Sequence, residues 1–317
     1  MTADVSGTVK AVLAEDRCTL ENDLVIAGDN APVLSSLPAG MFDLAYVDPP
    51  FNTGRIQRRR TLVVRQSEDG DRRGFQGRTY ATEETARRAY VDDFDDYVGF
   101  LAPRLEHARR LLTLDGTLYF HIDCRESHYC KVLLDEIFGR ECFLNEIIWA
   151  YDFGGRGRRR WPAKHDSILF YVKDPARYIF NAGDIDRLPY MTPGLVGPEK
   201  AARGKLPTDV WWHTIVPTSG RERTGYPTQK PLAILKRIVA ASSRPGDTVL
   251  DFFAGSGTTG EAAHLLGRAF VLVDNNPQAL EVMAARFRGL AGVDWVGFVP
   301  PRARAHPARA VRRTAAR

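Results

Sequence analysis

The chain has 317 residues, which is enough to bury one large α/β core with or without an inserted lobe. Because 44% of the residues are hydrophobic and 26% charged, and because no apolar run approaches the ~18 residues of a membrane span, we expect a globular protein of the cytoplasm. The net charge is +5, and because the last 17 residues carry six arginines and no acid, the remainder of the chain is close to neutral. The four cysteines lack C-x-x-C spacing, which favours reduced thiols over disulfides or a metal site.

The first two apolar runs are short and do not alternate with polar residues. Residues 24–27 end at a Gly-Asp pair before a predicted helix over residues 31–37, and residues 42–47 lead directly into the motif DPPF. Short runs without alternation are typical of strands covered on both faces, as in a parallel sheet. Prolines lack the amide that a sheet ladder needs, so the chain must leave the sheet at Pro49.

Arginine is concentrated in particular segments. Residues 55–88 hold ten arginines against five acids, RGRRR occupies residues 156–160, and residues 301–317 hold six arginines and no acid. Clusters of this kind indicate a polyanion held at particular places, although for the tail at residues 299–317 we favour a disordered extension. Because residues 55–90 also lack hydrophobic periodicity, they are predicted to form a mobile basic loop.

Strand and helix patterns resume beyond that loop. The patterns predict helices over residues 94–112, 128–139, 232–242, 261–267 and 277–287, and strands over residues 117–122, 143–151, 167–173, 248–253 and 269–274. Residues 178–225 show no clear pattern and are predicted to form a separate small lobe. Alternating strands and helices at both ends predict an α/β fold with a doubly wound, mostly parallel sheet and a small inserted lobe.

A glycine loop follows one of the predicted strands. The sequence GSGTTG at residues 255–260 fits G-x-G-x-x-G and opens a predicted helix, which suits close approach of the backbone to a ligand. Asp274 ends the next strand, where a carboxylate can bind ribose hydroxyls of any adenosine ligand. Asp251 precedes the loop, where it would repel a pyrophosphate but suit the ammonium and sulfonium of S-adenosylmethionine. An NAD(P)-dependent oxidoreductase of the Rossmann type remains the alternative enzyme.

Three motifs together carry a family resemblance. They are DPPF at residues 48–51, YPTQKP at residues 226–231, and DFFAGSGTT at residues 251–259 with its downstream Asp274. With these motifs in this order, the chain resembles the β class of amino-group-specific DNA methyltransferases. Placing the DPPF motif before the glycine loop separates that class from most Rossmann dehydrogenases and from methyltransferases that act on RNA or protein glutamine.

The resemblance implies S-adenosylmethionine as the cofactor. It places the methionine moiety in the loop that begins at Asp251, the ribose at Asp274 and the adenine near Asp29, with Thr228 and Lys230 on the other side. The cofactor-binding residues that it implies are Asp29, Thr228, Lys230, Asp251, Phe252, Ala254, Gly255, Ser256, Gly257, Thr258 and Asp274.

The resemblance also assigns the chemistry to Asp48, Pro49, Pro50 and Phe51. A base stacked in duplex DNA cannot present its exocyclic amine to a buried methyl donor, so the base must be flipped out. Asp48 and the Pro49 carbonyl would each accept a hydrogen of that amine, and Phe51 would stack on the ring. No metal or covalent intermediate is required, and both adenine N6 and cytosine N4 remain open as the target.

The partner that the resemblance implies is double-stranded DNA. Candidate DNA contacts are Asn52, Arg55, Arg58, Arg59, Arg60, Arg156, Arg158, Arg159 and Arg160. Residues 22–177 would form the catalytic half, residues 178–225 the target-recognition lobe and residues 226–298 the cofactor half. A location at the nucleoid, a homodimer and a restriction endonuclease on a separate chain are compatible with this family. A catalytically inactive DNA-binding protein is the non-enzymatic alternative, and the presence of every polar motif residue counts against it.

Overall fold

The computed structural model describes residues 22–66, 72–73, 79–92, 94–154, 157–217 and 219–301, and for the strands within residues 55–92 it describes only the backbone. None of the helices in these ranges is long and apolar enough to cross a bilayer.

The described strands, in chain order, are β1 Asp23–Ala27, β2 Phe42–Val47, β3 Arg55–Gln66, β4 Arg72–Arg73, β5 Thr79–Asp92, β6 Leu112–Asp123, β7 Phe143–Ala150, β8 His165–Val172, β9 Val210–Trp212, β10 Thr248–Asp251, β11 Ala269–Asp274 and β12 Val293–Val296. Nine of them form one sheet in the order β12-β1-β11-β10-β2-β6-β8-β7-β9. All neighbours pair in parallel except β8, which is antiparallel to both β6 and β7. The predicted mostly parallel, doubly wound sheet is therefore confirmed.

The described α-helices, in chain order, are α1 Asn30–Ser36, α2 Tyr97–Leu111, α3 Ser127–Phe138, α4 Pro198–Arg203, α5 Leu232–Ser242, α6 Thr258–Leu265 and α7 Pro277–Arg286. Local sequence explains where several of them begin. The Asp96 side chain accepts a hydrogen bond from Gly99 N at 2.8 Å at the start of α2, and Asn276 caps α7 in the same way just before Pro277. Strand β2 is almost wholly buried, which explains why every residue in it except Asp43 is apolar.

The prediction of a loop without regular structure over residues 55–90 was wrong. Strand β3 pairs in antiparallel with β5, from Arg55 opposite Asp92 to Gln66 opposite Tyr80, with one register shift after Thr61, and β4 pairs with the other edge of β5. The signal was missed because arginines interrupt the alternation of apolar and polar residues by which a strand is recognised.

The prediction of a separate lobe over residues 178–225 was also wrong in part. Strand β9 lies in this segment and extends the main sheet by pairing in parallel with β7. Asn181 N donates to Ala241 O at 2.7 Å, and the Asn181 amide donates to Ser243 O at 2.7 Å, so the segment is also attached to the end of α5. A three-residue strand is too short to give a periodic signal, and β12 was missed for a similar reason.

The sheet brings its acidic residues to one edge. Strands β10 and β11, from the second half of the chain, lie between β1 and β2 from the first half. Because these strands are parallel, their carboxyl ends meet at the same edge, where Asp48, Asp251 and Asp274 are placed side by side. Ligands of open α/β sheets bind at this edge, at the point where the strand order reverses.

Candidate active site

The glycine loop turns tightly between β10 and α6. Gly255 and Gly257 have φ of +50° and +73°, and a Cβ on Gly257 would lie 2.8 Å from Met283 Cγ. A Cβ on Gly260 would lie 2.7 Å from Leu272 Cδ1. Glycine is therefore required both for the left-handed backbone and for close packing of the loop on α7 and β11.

Asp251 is buried at the start of this loop. Its carboxylate accepts hydrogen bonds from the Thr259 hydroxyl at 2.6 Å and from Phe253 N at 3.0 Å. Burial raises the pKa of Asp251 to about 7, and the neighbouring charges of Asp48 and Asp274 contribute to the rise, whereas the two hydrogen bonds oppose it. A cation that binds here would stabilise the ionised form of this carboxyl and lower its pKa.

Asp274 connects the loop to the end of β11. Its carboxylate accepts hydrogen bonds from Gly255 N at 2.7 Å and from Asn276 N at 2.8 Å. Desolvation in the cavity raises the pKa of Asp274 to about 6, against the effect of these amides. Two carboxyls with pKa values near neutrality therefore lie at the carboxyl ends of adjacent parallel strands.

The predicted cofactor residues separate into two groups. Most of the predicted cofactor residues line one cavity, to which Asp48, Phe51 and Tyr226 also contribute. The predicted cofactor residues in its lining are Thr228, Lys230, Asp251, Ala254, Gly255, Ser256, Thr258 and Asp274. Asp29, Phe252 and Gly257 do not line it. The Phe252 side chain is in the core, and Gly257 caps α6.

Asp29 belongs to a second group of contacts beside this cavity. It caps α1 by accepting from Ala31 N at 3.2 Å and pairs with Arg104 Nη2 at 3.1 Å, and its side chain stays 57% exposed. Arg104 also donates to Asn30 Oδ1 at 2.6 Å and stacks over the Phe100 ring. No local pattern in the sequence points to Arg104, because it lies on a helix that begins 67 residues after α1 starts.

The segment that carries the DPPF motif is anchored by hydrogen bonds to neighbouring elements. The Tyr97 hydroxyl donates to Pro50 O at 2.5 Å. Asn52 has φ of +52°, donates to Glu126 Oε1 at 2.8 Å and accepts from Phe94 N at 3.0 Å. Both ends of the Asn52 amide therefore anchor this segment within the protein, and contact of Asn52 with DNA stays a prediction.

Asp48 is paired with Lys230. The two oxygens of Asp48 accept from Lys230 Nζ at 2.6 and 2.5 Å, and Lys230 is only 8% exposed. The Lys230 ammonium also lies 4.9 Å from the centre of the Phe51 ring. In the structure Lys230 lines the cavity and pairs with the carboxylate that was predicted to be catalytic, and its contact with the cofactor stays a prediction.

A buried hydrogen-bond network lies behind Asp48. His121 Nδ1 is 2.7 Å from the Tyr46 hydroxyl and 3.9 Å from Asp48 Oδ1, and its Nε2 is 3.2 Å from Asp166 Oδ2. The Tyr151 hydroxyl donates to the other oxygen of Asp166 at 2.8 Å. Although burial raises the pKa of Asp166, the hydrogen bond and charge of His121 keep it below its ordinary value.

No role was predicted for His121, Asp166 or Tyr151. The signal was present in TLYFHID at residues 117–123 and KHDSILFY at residues 164–171, where polar residues stand in otherwise buried strands. Buried polar side chains are uncommon without a partner, so they indicate a network even when the partner is unknown.

An aromatic cleft adjoins the first cavity. Its lining includes Phe51, Trp149, Tyr151, Asp166 and Arg223, and it shares a wall with the first cavity. The shared wall consists of Phe51, Tyr226, Thr228, Gln229 and Lys230. Two sites of different character therefore meet at Lys230 and its partner Asp48.

The predicted arginine contacts are only partly described. Arg55, Arg58, Arg59 and Arg60 lie in β3, of which the backbone alone is described, and Arg156 lies outside the described residues. Arg158, Arg159 and Arg160 are exposed in the connection between β7 and β8. That connection begins at Tyr151 and leads into β8, whose second residue is Asp166, and both of these residues line the aromatic cleft.

Comparison with known proteins shows the family to which the chain is similar. A family model described as DNA methylase, for N6 and N4 methyltransferases, matches residues 42–286. The chain is 30% identical over 275 residues to DNA adenine methyltransferase YhdJ of Escherichia coli strain K12, covering 83% of this chain and 81% of that protein.

Two solved structures are similar in fold. PvuII DNA methyltransferase (cytosine-N4-specific) has a TM-score of 0.57 at 15% identity, covering 86% of this chain and 88% of the other. TTHA0409 from Thermus thermophilus, a putative DNA modification methylase complexed with S-adenosyl-L-methionine, has a TM-score of 0.54 at 20% identity, covering 86% and 98%.

Proposed function

The chain belongs to the family of N6 and N4 DNA methylases, and we propose that it moves a methyl group from S-adenosylmethionine to the exocyclic amine of a flipped base in duplex DNA. Membership in this family does not favour an NAD(P)-dependent oxidoreductase. The relative named as an adenine methyltransferase makes adenine N6 the first target to test, with cytosine N4 as the other outcome.

The first cavity fits the cofactor. Asp251 would hold the ammonium group and Asp274 the ribose hydroxyls, and the backbone of the loop that begins at Ala254 would lie against the methionine moiety. A pyrophosphate would face three carboxylates here, Asp48, Asp251 and Asp274, which disfavours a dinucleotide. When bound, S-adenosylmethionine supplies a methyl carbon activated by its positively charged sulfur.

The aromatic cleft suits the flipped base. Phe51 would stack on the ring, with Trp149 and Tyr151 as further apolar walls. Asp48 and the Pro49 carbonyl would accept the two amine hydrogens, which turns the nitrogen lone pair away from the ring and towards the methyl group. Asp48 would then take the proton that the methylated nitrogen releases.

One observation supports this proposal above the others. The carboxylate that begins the DPPF motif lines a cavity suited to an adenosine ligand, and its partner Lys230 also lines the neighbouring aromatic cleft. A methyl transferase needs this arrangement, because donor and acceptor must meet in line at one point.

The DNA-facing assignments extend the proposal. The exposed Arg158, Arg159 and Arg160 would contact phosphates beside the cleft, as would the arginines of β3. Residues 178–225 would read the target sequence. We further propose action at the nucleoid in the cytoplasm, a homodimer, and a restriction endonuclease on a separate chain; the molar mass in solution checks the dimer.

The proposed function is tested by identifying the modified base. Duplex DNA from a host without methylation is incubated with the protein and labelled S-adenosylmethionine, digested to nucleosides and separated by mass. We expect N6-methyladenosine or N4-methylcytidine as the deoxynucleoside. A methyl group on cytosine C5, or no label in DNA despite cofactor binding, would refute the proposal.

Cofactor binding should depend on pH through Asp251. Since the pKa of Asp251 is about 7 in the free protein, the carboxyl is mostly protonated at pH 6 and mostly ionised at pH 8. An ammonium ligand needs the ionised form, so its affinity should fall about tenfold from pH 8 to pH 6. Asp274 has a pKa of about 6, so its protonation would make the affinity fall more steeply below pH 6. The other charged groups among the described residues that line this cavity are Asp48 and Lys230, which are paired with each other.

The measurement is titration calorimetry of sinefungin, an analogue with an amine in place of the sulfonium, at pH 6, 7 and 8. Asp251→Asn should bind more weakly at pH 8 and lose most of the pH dependence. An equal pH dependence in wild type and Asp251→Asn would assign the titration to another group.

A further inference from the structure

The proposed catalytic carboxylate is already paired in the free protein. Both oxygens of Asp48 accept hydrogen bonds from Lys230 Nζ, at 2.6 and 2.5 Å. Under the proposed function, on which this inference rests, Asp48 must instead accept a hydrogen of the base's amine. An ammonium is a much stronger donor than an aromatic amine, so the base competes poorly for Asp48 while Lys230 remains there.

Lys230 stands at the wall that the two cavities share. Among the described residues that line the first cavity it is the sole cation, facing the carboxylates of Asp48, Asp251 and Asp274. The proposed cofactor brings a carboxylate of its own on the methionine moiety. In a cavity with this charge distribution, that carboxylate is best stabilised by the Lys230 ammonium.

The backbone around Lys230 is anchored, which leaves the side chain as the part that can move. The Gln229 side chain accepts from Thr224 N and Thr224 Oγ1, each at 2.8 Å, and donates to Glu222 O at 2.7 Å. The Glu222 carboxylate accepts from Leu232 N at 3.0 Å. A lysine has a flexible four-carbon stem, so its ammonium can change partners by bond rotation alone.

We infer that Lys230 exchanges partners: it pairs with Asp48 in the free protein and with the cofactor's carboxylate in the loaded protein, which frees Asp48 for the base. In both states the Lys230 ammonium has an anionic partner, and the Asp48 carboxylate that it leaves gains a hydrogen-bond donor when the base's amine arrives. Cofactor binding and base binding are thereby coupled, and the base enters the site productively only when the methyl donor is in place.

The coupling is measured as the affinity for a labelled duplex by fluorescence anisotropy. The duplex carries the recognition sequence read from the positions that the wild-type protein methylates. Three conditions are compared: no ligand, saturating sinefungin, which has the methionine carboxylate, and saturating 5′-methylthioadenosine, which lacks it. We expect sinefungin to tighten duplex binding about tenfold and methylthioadenosine less than about twofold.

Lys230→Met tests the assignment to this residue. Without the lysine, the unliganded variant should bind the duplex nearly as tightly as wild type with sinefungin, and sinefungin should add less than about twofold. Calorimetry should show sinefungin binding weakened at least about tenfold and methylthioadenosine binding nearly unchanged. Lys236→Met, an exposed lysine on the next helix, is the matched control and should behave as wild type.

The outcomes separate this inference from the proposed function. If wild type binds no sinefungin and methylates no DNA, the proposed function fails. If it does both, but the two ligands tighten duplex binding equally or not at all, the exchange is refuted from wild type alone, whether or not Lys230→Met folds. Coupling retained in Lys230→Met would also overturn it.

Discussion

Asp48→Ala is expected to lower the single-turnover rate of methyl transfer by about 1,000-fold or more. Alanine removes the acceptor that orients the amine and takes its proton. Sinefungin affinity should change by less than about threefold, because the residues assigned to the ammonium and the ribose are Asp251 and Asp274, with Lys230 also free to bind the carboxylate.

The same variant should lose stability for a separate reason. Removing Asp48 leaves the Lys230 ammonium, 8% exposed, without its partner, which should lower the free energy of unfolding by about 3 kcal/mol. The double variant Asp48→Ala/Lys230→Met should recover much of that stability, as followed by urea unfolding, and stay inactive. Asp152→Ala, an exposed carboxylate at the start of the β7–β8 connection, is the control and should keep both activity and stability.

A double variant that regained activity together with stability would show that Asp48 acts through folding alone. Parallel loss of sinefungin binding and methyl transfer in folded Asp48→Ala would place Asp48 in the cofactor site instead.

Gly257→Ala is expected to cost about 3 kcal/mol of folding free energy and to weaken sinefungin binding more than about tenfold. Its φ of +73° disfavours any side chain, and the new Cβ would lie 2.8 Å from Met283 Cγ and 3.1 Å from Phe287 Cζ. The loop must move away from α7, which shifts the neighbouring Gly255 and Ser256 that line the cofactor cavity.

Gly267→Ala separates the cost of the left-handed backbone from the cost of the steric contact with α7. Gly267 has φ of +74°, but its nearest atom would be Pro245 Cβ at 4.0 Å, so only the backbone cost of about 1 kcal/mol applies. Urea unfolding and calorimetry on both variants give the comparison. Equal losses in the two variants would mean that the packing of the loop on α7 contributes nothing.

The fold was predictable where burial is two-sided. Strands such as β2 and β11 are almost entirely apolar because both faces are covered, and several helices of the fold have clear periodicity or caps. The short edge strands were not predicted, because a strand of three or four residues is too short to show a periodic pattern. The arginine-rich pair β3 and β5 was not predicted either, because charged side chains obscure the alternation of apolar and polar residues.

The site was predictable only as far as strand ends determine it. Asp48, Asp251 and Asp274 converge because parallel strands finish at one edge, which their positions at the ends of predicted strands already implied. The partner of Lys230 was not predictable, since Asp48 is 182 residues away and the contact depends on side-chain reach. The pairing of His121 with Asp166 was hidden for the same reason, because it crosses the antiparallel pair β6 and β8.

The most direct measurement is a structure of the protein with sinefungin and a duplex that carries its recognition sequence. We expect the target base to lie outside the helix, stacked on Phe51, with its exocyclic nitrogen about 3 Å from a carboxylate oxygen of Asp48 and Lys230 turned to the sinefungin carboxylate. A base that remains stacked in the duplex, or an amine with no contact to Asp48 beside bound sinefungin, would contradict it.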